Sequence, residues 1–443
     1  MMSLGGIAGS TAAEIALSVR ERVDSGLLAP GVPLPPIREL ASALGLNRNT
    51  VAAAYAQLGA AGVVESRRRA GTIVRGLPRV RGEGATSPTT TINLAAGNPD
   101  ASLLPPITSD FLRGYTPLLY GAVPVSPALR NWAATHMSPD VVDSTHDLIV
   151  THGAVDAVER LLDAYLTRGD LVAVEDPCFL SSIGTLRLNG YRSAPITVDR
   201  HGIRPDALEA ALATGARAVI CTPRAHNPTG ASVTPQRALE LAAVLERYPN
   251  VVVIEDDHFS AISAKPYNRI TPASTSHWAL VRSVSKFLGP DLRVALVLAD
   301  PETCSRLGSR LSSATTWVSH ILQHIVATML DHPVVLALLD QARAAYTTRS
   351  SGLTAALGAR NISVNPDTDG LNVWIPVDVP EARVVTELSR LGWCVQPGSA
   401  FALTDRAARA IRVTTATMSA DDAVRFAHDL AGILRPIANL ASQ

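Results

Sequence analysis

A chain of 443 residues is too long for one ordinary domain, and at 47% hydrophobic and 18% charged residues it can bury a large core. Its formal net charge of zero hides an asymmetry: residues 1–80 carry a net +4 and the remainder a net −4, so a contact with nucleic acid is expected at the N-terminal end alone. Four scattered cysteines (Cys178, Cys221, Cys304 and Cys394) with no close pair suggest no disulfide framework or zinc site, and no metal and no signal peptide are expected.

Ala12 to Ser25 places Ile15, Val19 and Val23 at helical spacing, and Gly26 with Pro30-Gly31 stops that helix. Ile37, Leu40, Ala41 and Leu44 make a second short helix, closed by Gly45. Asn47 is a good N-cap for a third, from Arg48 to about Ala60, with Val51, Ala54, Tyr55 and Leu58 as its inner face. Val63 to Ser66 and Thr72 to Val74 then alternate like two strands around a basic tip, Arg67-Arg68-Arg69-Ala70-Gly71. Three helices and a two-stranded wing predict a winged helix-turn-helix over residues 1–78. In such a unit the N-terminal residues of the last helix enter the major groove, and here they are Asn47, Arg48, Asn49 and Thr50. Arg and Asn suit guanine and adenine edges, and Arg67, Arg68 and Arg69 suit phosphates or the minor groove.

The stretch resembles the GntR family of winged-helix regulators. The matching runs are Leu34-Pro35-Pro36-Ile37-Arg38-Glu39-Leu40-Ala41, Leu46-Asn47-Arg48-Asn49-Thr50-Val51 and Tyr55-Ala56-Gln57-Leu58. By that resemblance Arg38, Arg48, Asn49, Thr50 and the wing around Gly71 contact double-stranded DNA.

Residues 79–91 hold Gly82, Gly84, Ser87, Pro88 and three consecutive threonines without apolar periodicity, and read as a tether. About 13 residues span roughly 40 Å at most and about 20 Å on average.

From residue 92 onward short apolar runs alternate with helical stretches. The strand candidates are Leu148–Val150, Leu171–Val174, Ala218–Cys221, Val251–Ile254, Ala279–Val281 and Val294–Leu298. The alternation predicts an α/β body, a mostly parallel sheet with helices on both faces and ligands at the carboxyl ends of its strands. A large domain of about 121–345 and a small C-terminal α/β domain of about 346–443 are expected. The uncharged run Leu311 to Leu330 contains Ser, Thr, Gln and two His, so it reads as one buried amphipathic helix and not a membrane span; a cytoplasmic location is expected.

Polar motifs sit at the strand ends. The chain has only two lysines, Lys265 and Lys286, and Lys286 follows the strand at Ala279–Val281; a buried lysine loses its charge more easily and can form an imine with an aldehyde. Ser283, Ser285 and Arg293 supply hydroxyls and a cation for a phosphate, and Gly153-Ala154-Val155 opens a helix whose free N–H groups suit the same anion. Asp256 ends an apolar strand and needs a partner such as a pyridinium nitrogen. Asn227 can donate to a phenolic oxygen, and Phe179 can stack on a ring.

In this order the set resembles fold-type I aminotransferases that use pyridoxal 5'-phosphate. The resemblance implies that Lys286 forms the Schiff base, Asp256 holds the pyridine nitrogen and Asn227 the ring oxygen. Gly153 to Val155, Ser283 and Arg293 would hold the phosphate, and Tyr120 would reach the partner subunit's phosphate. Arg412 would clamp the carboxylate of a substrate or effector; a relic that binds only solvent or an internal acid is the alternative. Head and body together resemble the MocR subfamily of GntR regulators, which implies a head-to-tail homodimer whose body senses the cofactor or an amino compound as an aldimine at Lys286, in control of vitamin B6 or amine metabolism.

Two positions depart from the pattern. His258 stands where a tyrosine usually sits beside the ring oxygen, and Ala154 where a serine usually follows the phosphate-loop glycine. Asp156 would repel phosphate if it faced it. Cofactor binding weaker than in an efficient enzyme is expected. Two other readings stay open, an active aminotransferase with an appended DNA-binding head and a cofactor-free dimeric DNA-binding regulator.

Overall fold

The computed structural model describes residues 6–61, 63–67, 71–74, 83–84, 91–141, 145–404 and 409–434. The chain divides into two compact units, residues 1–79 with 187–190, and residues 80–186 with 191–443.

In the first unit α1 (Ala12–Asp24), α2 (Ile37–Leu44) and α3 (Arg48–Ala60) precede the antiparallel pair β1 (Val64–Arg67) and β2 (Gly71–Val74). Thr11 caps α1 by accepting from Glu14 N–H, while the Ser10 N–H donates to the Glu14 carboxylate at 2.8 Å. Gly45 sits in the left-handed region at φ +67 and turns the chain from α2 toward α3. Ile15, Val19, Leu40, Val51, Ala54, Leu58 and Val74 form one core. Tyr55 spans it and donates its hydroxyl to the Pro35 carbonyl at 2.8 Å. The structure therefore has the three helices and the wing strands of the sequence reading. Arg68 and Arg69 lie outside the described residues.

The second unit is built on an eight-stranded sheet. Its order is Asp147–Thr151, Ala295–Ala299, His277–Ser283, Val252–Asp256, Ala218–Cys221, Leu171–Asp176, Arg192–Asp199, Gly202–Ile203. The pairings from His277–Ser283 through Arg192–Asp199 are parallel, and Ala295–Ala299 runs against both of its neighbours. Alternate residues of the central strands face opposite layers. Val219, Val253 and Leu280 join a core with Leu129, Leu208, Leu241 and Leu339 on one side; Ile220, Ile254 and Val281 join Ala157, Leu161 and Leu307 on the other. A smaller sheet of Asn372–Pro376, Ala410–Thr414 and Gln396–Pro397 carries its own core with Leu94, Trp393 and Phe426. The 26-residue helix Pro333–Gly358 serves both cores, giving Leu339 and Tyr346 to the first and Leu353 and Leu357 to the second.

All six strand stretches read from sequence are in the large sheet. Arg192–Asp199 escapes that reading because it lies near the sheet's edge, with Arg192, Ser193 and Pro195 exposed. The run Leu311 to Leu330 is not one helix. Pro301–Ala314 ends at Thr315, Thr316 adopts φ +67, and a second helix begins at His320. A β-branched residue at the helix end, Thr315, and a second held in the left-handed region, Thr316, break what apolar spacing alone makes continuous. Among the described residues no single helix is long and apolar enough to cross a membrane.

Candidate functional site

At the carboxyl ends of the parallel strands lies a cavity of about 460 Å³. Its lining includes Ala154, Val155, Phe179, Asn227, Asp256, His258, Ser283, Ser285, Lys286 and Arg293, residues spread over 140 positions that the sheet topology brings together. Glu83, Asn98, Pro99, Ser181 and Pro290 line it too; the sequence reading assigned none of them to the site, and placed Asn98 and Pro99 only in the run Asn93 to Pro99 that the aminotransferase resemblance puts at the opening of the fold.

Asp256 ends the strand Val252–Asp256 and is 8% exposed, yet its Oδ1 has no hydrogen-bond partner. Burial, with the nearby charges of Asp257 and Glu175, pushes its carboxyl up to about 7. Its neighbour Asp257 is the opposite case. Burial pushes it up, but Arg224 donates to both of its oxygens at 2.7 and 2.8 Å and Arg282 to one at 2.7 Å, and these guanidinia hold it below the usual carboxylate range. One carboxylate is thus saturated and the other is left facing the cavity in need of a cationic donor. That donor set fits a pyridinium nitrogen.

Lys286 donates from Nζ to the Gly97 carbonyl at 2.8 Å. Burial lowers its pKa, with the Glu83 carboxylate opposing and Arg412 adding to the shift, so the neutral amine is more accessible than on a surface lysine. His258 is pushed down to about 4, first by burial and then by the Lys286 charge, and it is a neutral imidazole near pH 7. Such a ring has one N–H to donate. It lies nearly parallel to Phe179, 15° between planes and 6.3 Å between centroids.

Beside these groups Gly153 caps the helix Ala154–Tyr165 at φ +92 without a side-chain cap, leaving the first N–H groups of that helix available. The Arg293 guanidinium lies over Gly153, where an added Cβ would come within 2.7 Å of it, and donates to the His152 carbonyl at 3.2 Å. Ser283 donates to Ser285 Oγ at 3.1 Å. Asp156 does not line the cavity; Arg160 donates to it at 2.7 Å and the His152 N–H at 3.1 Å.

Arg412 is fully buried in the strand Ala410–Thr414. It donates to Glu83 Oε1 at 2.6 Å, to Asn227 Oδ1 at 3.2 Å and to the Ala95 carbonyl at 2.6 Å. Tyr120 is not in the cavity: it is 90% exposed, with its ring near Trp317.

In the first unit Arg38, Arg48 and Asn49 are exposed and Thr50 is half-buried. The Asn47 side chain accepts from the Asn49 N–H at 2.9 Å, so capping α3 already occupies it. Arg67 ends β1 and Gly71 opens β2 at φ +71.

Residues 89–430 match the family model described as aminotransferase class I and II, and residues 11–74 that of the gntR family of bacterial regulatory proteins. The chain is 45% identical over 426 residues to the vitamin B6 salvage pathway transcriptional repressor PtsJ of Salmonella typhimurium, covering 96% of this chain and 98% of that one. It is 25% identical over 402 residues to the HTH-type pyridoxine biosynthesis transcriptional regulator PdxR of Corynebacterium glutamicum, covering 84% and 85%. Among solved structures, the kynurenine aminotransferase of Pyrococcus horikoshii shares the fold at a TM-score of 0.70 and 20% identity, over 78% of this chain and 91% of that one. The chain therefore belongs to the MocR subfamily of GntR transcription regulators, in which a gntR-type DNA-binding domain is joined to an aminotransferase class I and II body.

Proposed function

We propose that this protein is a transcription regulator whose body holds pyridoxal 5'-phosphate at Lys286 and reports the level of that cofactor, or of an amino compound that reacts with it, to the DNA-binding head. The observation that carries the reading is the unpartnered buried oxygen of Asp256 in the same cavity as Lys286. Pyridoxal phosphate supplies an aldehyde that captures primary amines. Lys286 would offer the amine that anchors it. Asp256 would keep a proton on the pyridine nitrogen, Asn227 and His258 would face the ring oxygen, and Phe179 would cover the ring. Gly153, Ala154, Val155, Ser283, Ser285 and Arg293 would hold the phosphate. Arg412 would take the carboxylate of an amino acid.

In the head, Arg38, Arg48, Asn49, Thr50 and the wing would meet DNA, with Asn47 shaping the helix start more than reading a base. Residues 1–78, 79–91 and 92–443 serve as head, tether and body. A head-to-tail homodimer would bring Tyr120 to the partner's phosphate, and the exposure of Leu119, Tyr120 and Val123 supports that assembly. The vitamin B6 salvage pathway named for PtsJ supports control of vitamin B6 supply in the cytoplasm as the biological setting.

The test is binding of a DNA fragment from upstream of the protein's own gene, with and without pyridoxal phosphate, for the wild type and Lys286→Ala. The reading expects an affinity change in the wild type that the variant loses; an equal response in both would sink it. A second reading, a turning-over aminotransferase, is favoured by the intact Arg412–Asn227 pair. Steady turnover of an amino donor and a keto acid would establish it.

A further inference from the structure

Glu83 follows shortly after the first unit, which ends at Arg79, yet its carboxylate is seated deep within the body. Its Oε1 accepts from Arg412 Nη1 at 2.6 Å and from Asn227 Nδ2 at 2.7 Å, and the side chain is only 13% exposed. Its Oε2 has no partner and lies so close to Gly97 that any Cβ there would collide with it. The next residue, Gly84, donates its N–H to the Ala96 carbonyl at 2.7 Å, so the backbone is fixed as well. Burial pushes the Glu83 carboxyl up, but Arg412 and then Lys286 outweigh it and keep it ionised.

A guanidinium and an amide converging on one carboxylate are what a protein uses to recognise an amino acid by its carboxyl end. Here the chain fills that seat itself. We propose that Glu83 is a built-in ligand of the effector site: it occupies the place of an amino acid's carboxylate, and an effector bearing a carboxylate binds by displacing it. This rests on the reading of the body as an effector-binding domain. A simple amine leaves Glu83 seated, whereas an α-amino acid must expel it, so the site separates the two classes. The residue expelled stands four positions beyond Arg79 in sequence, so effector occupancy decides whether Glu83 and Gly84 stay held in the body.

A tethered carboxylate acts at an effective concentration on the order of millimolar. If it holds the seat about nine-tenths of the time, the apparent affinity of a free carboxylate falls about tenfold.

The experiment is a saturation-transfer NMR titration of the full-length protein with propionate, for the wild type, Glu83→Ala, Glu83→Gln and each with Arg412→Lys. Tryptic cleavage after Arg79 and Arg81 is followed in parallel. We expect propionate to bind Glu83→Ala about tenfold more tightly than the wild type, and the gain to vanish with Arg412→Lys. Saturating propionate is expected to bring wild-type cleavage up to the rate of Glu83→Ala. Should Arg412→Lys fail to fold, Asn227→Ala removes the second donor and serves as the same control. Equal propionate affinity in the wild type and Glu83→Ala overturns the proposal, as does a gain that survives loss of the donors. The titration needs no cofactor. Competition without a Lys286-dependent cofactor band would remove the cofactor-sensing reading alone, and the reverse pattern would remove the built-in ligand alone.

Discussion

Replacing Asp256 by asparagine separates two effects of one carboxylate. In the folded protein its pKa is about 7, because it is buried with an oxygen unpartnered and lies near Asp257 and Glu175, whereas in an unfolded chain it sits near 3.9. Between about pH 4 and pH 7 the folded state holds a proton that the unfolded state has released, so this group's contribution to stability falls as pH rises through that window. Three units at 1.36 kcal/mol each give a cost of about 4 kcal/mol at pH 8, which Asp256→Asn removes. His258 acts with the opposite sign. Its pKa near 4 means that the unfolded state binds the extra proton between pH 4 and 6.5, so its contribution rises with pH there. The two windows overlap, and the difference between variant and wild type is therefore the readout. For cofactor-free protein, the thermal midpoint of Asp256→Asn is expected to match the wild type at pH 4.5 and to exceed it by several degrees at pH 8. With pyridoxal phosphate present the order reverses, since asparagine gives the pyridinium no countercharge. A variant no more stable than the wild type at pH 8 would refute the account of Asp256 as an uncompensated buried acid.

Ala154→Ser returns a hydroxyl to the first residue of the helix beside the cavity. One added hydrogen bond of about 0.5–1.5 kcal/mol predicts roughly two- to tenfold tighter pyridoxal phosphate in a fluorescence titration. Arg48→Ala removes an exposed cation at the start of α3; DNA affinity measured by anisotropy should fall by about 1–3 kcal/mol with no change in thermal stability. Tyr55→Phe deletes a buried hydrogen bond to the Pro35 carbonyl and costs about 1 kcal/mol, which lowers the melting transition of the first unit by about 4–8 °C in calorimetry.

The six strands visible in sequence are runs of apolar, largely β-branched residues buried on both faces, a pattern that needs no knowledge of neighbours. The polar residues following those strands were legible because an open parallel sheet puts its ligands there. Asp256 and Asp257 show where legibility stops. They are adjacent and chemically identical, and only the approach of Arg224 and Arg282 from distant elements leaves one saturated and the other in need of a partner. Glu83 was less visible still, since it reads as one acid between two glycines of a tether and acquires its place through contacts with Asn227 and Arg412, the latter 329 positions away. Asn47 was read correctly as a cap, but its second expected role at DNA competes with that one. The break in Leu311 to Leu330 depends on the left-handed turn at Thr316, which periodicity does not record.

The most direct test of the central claim is the absorbance spectrum of the purified protein titrated with pyridoxal phosphate, beside Lys286→Ala. A visible band that saturates in the wild type and is missing in the variant is the result expected of a cofactor-holding regulator. Identical spectra for the two proteins would contradict the assignment of Lys286, and a band in neither would leave the body as a scaffold for the DNA-binding head.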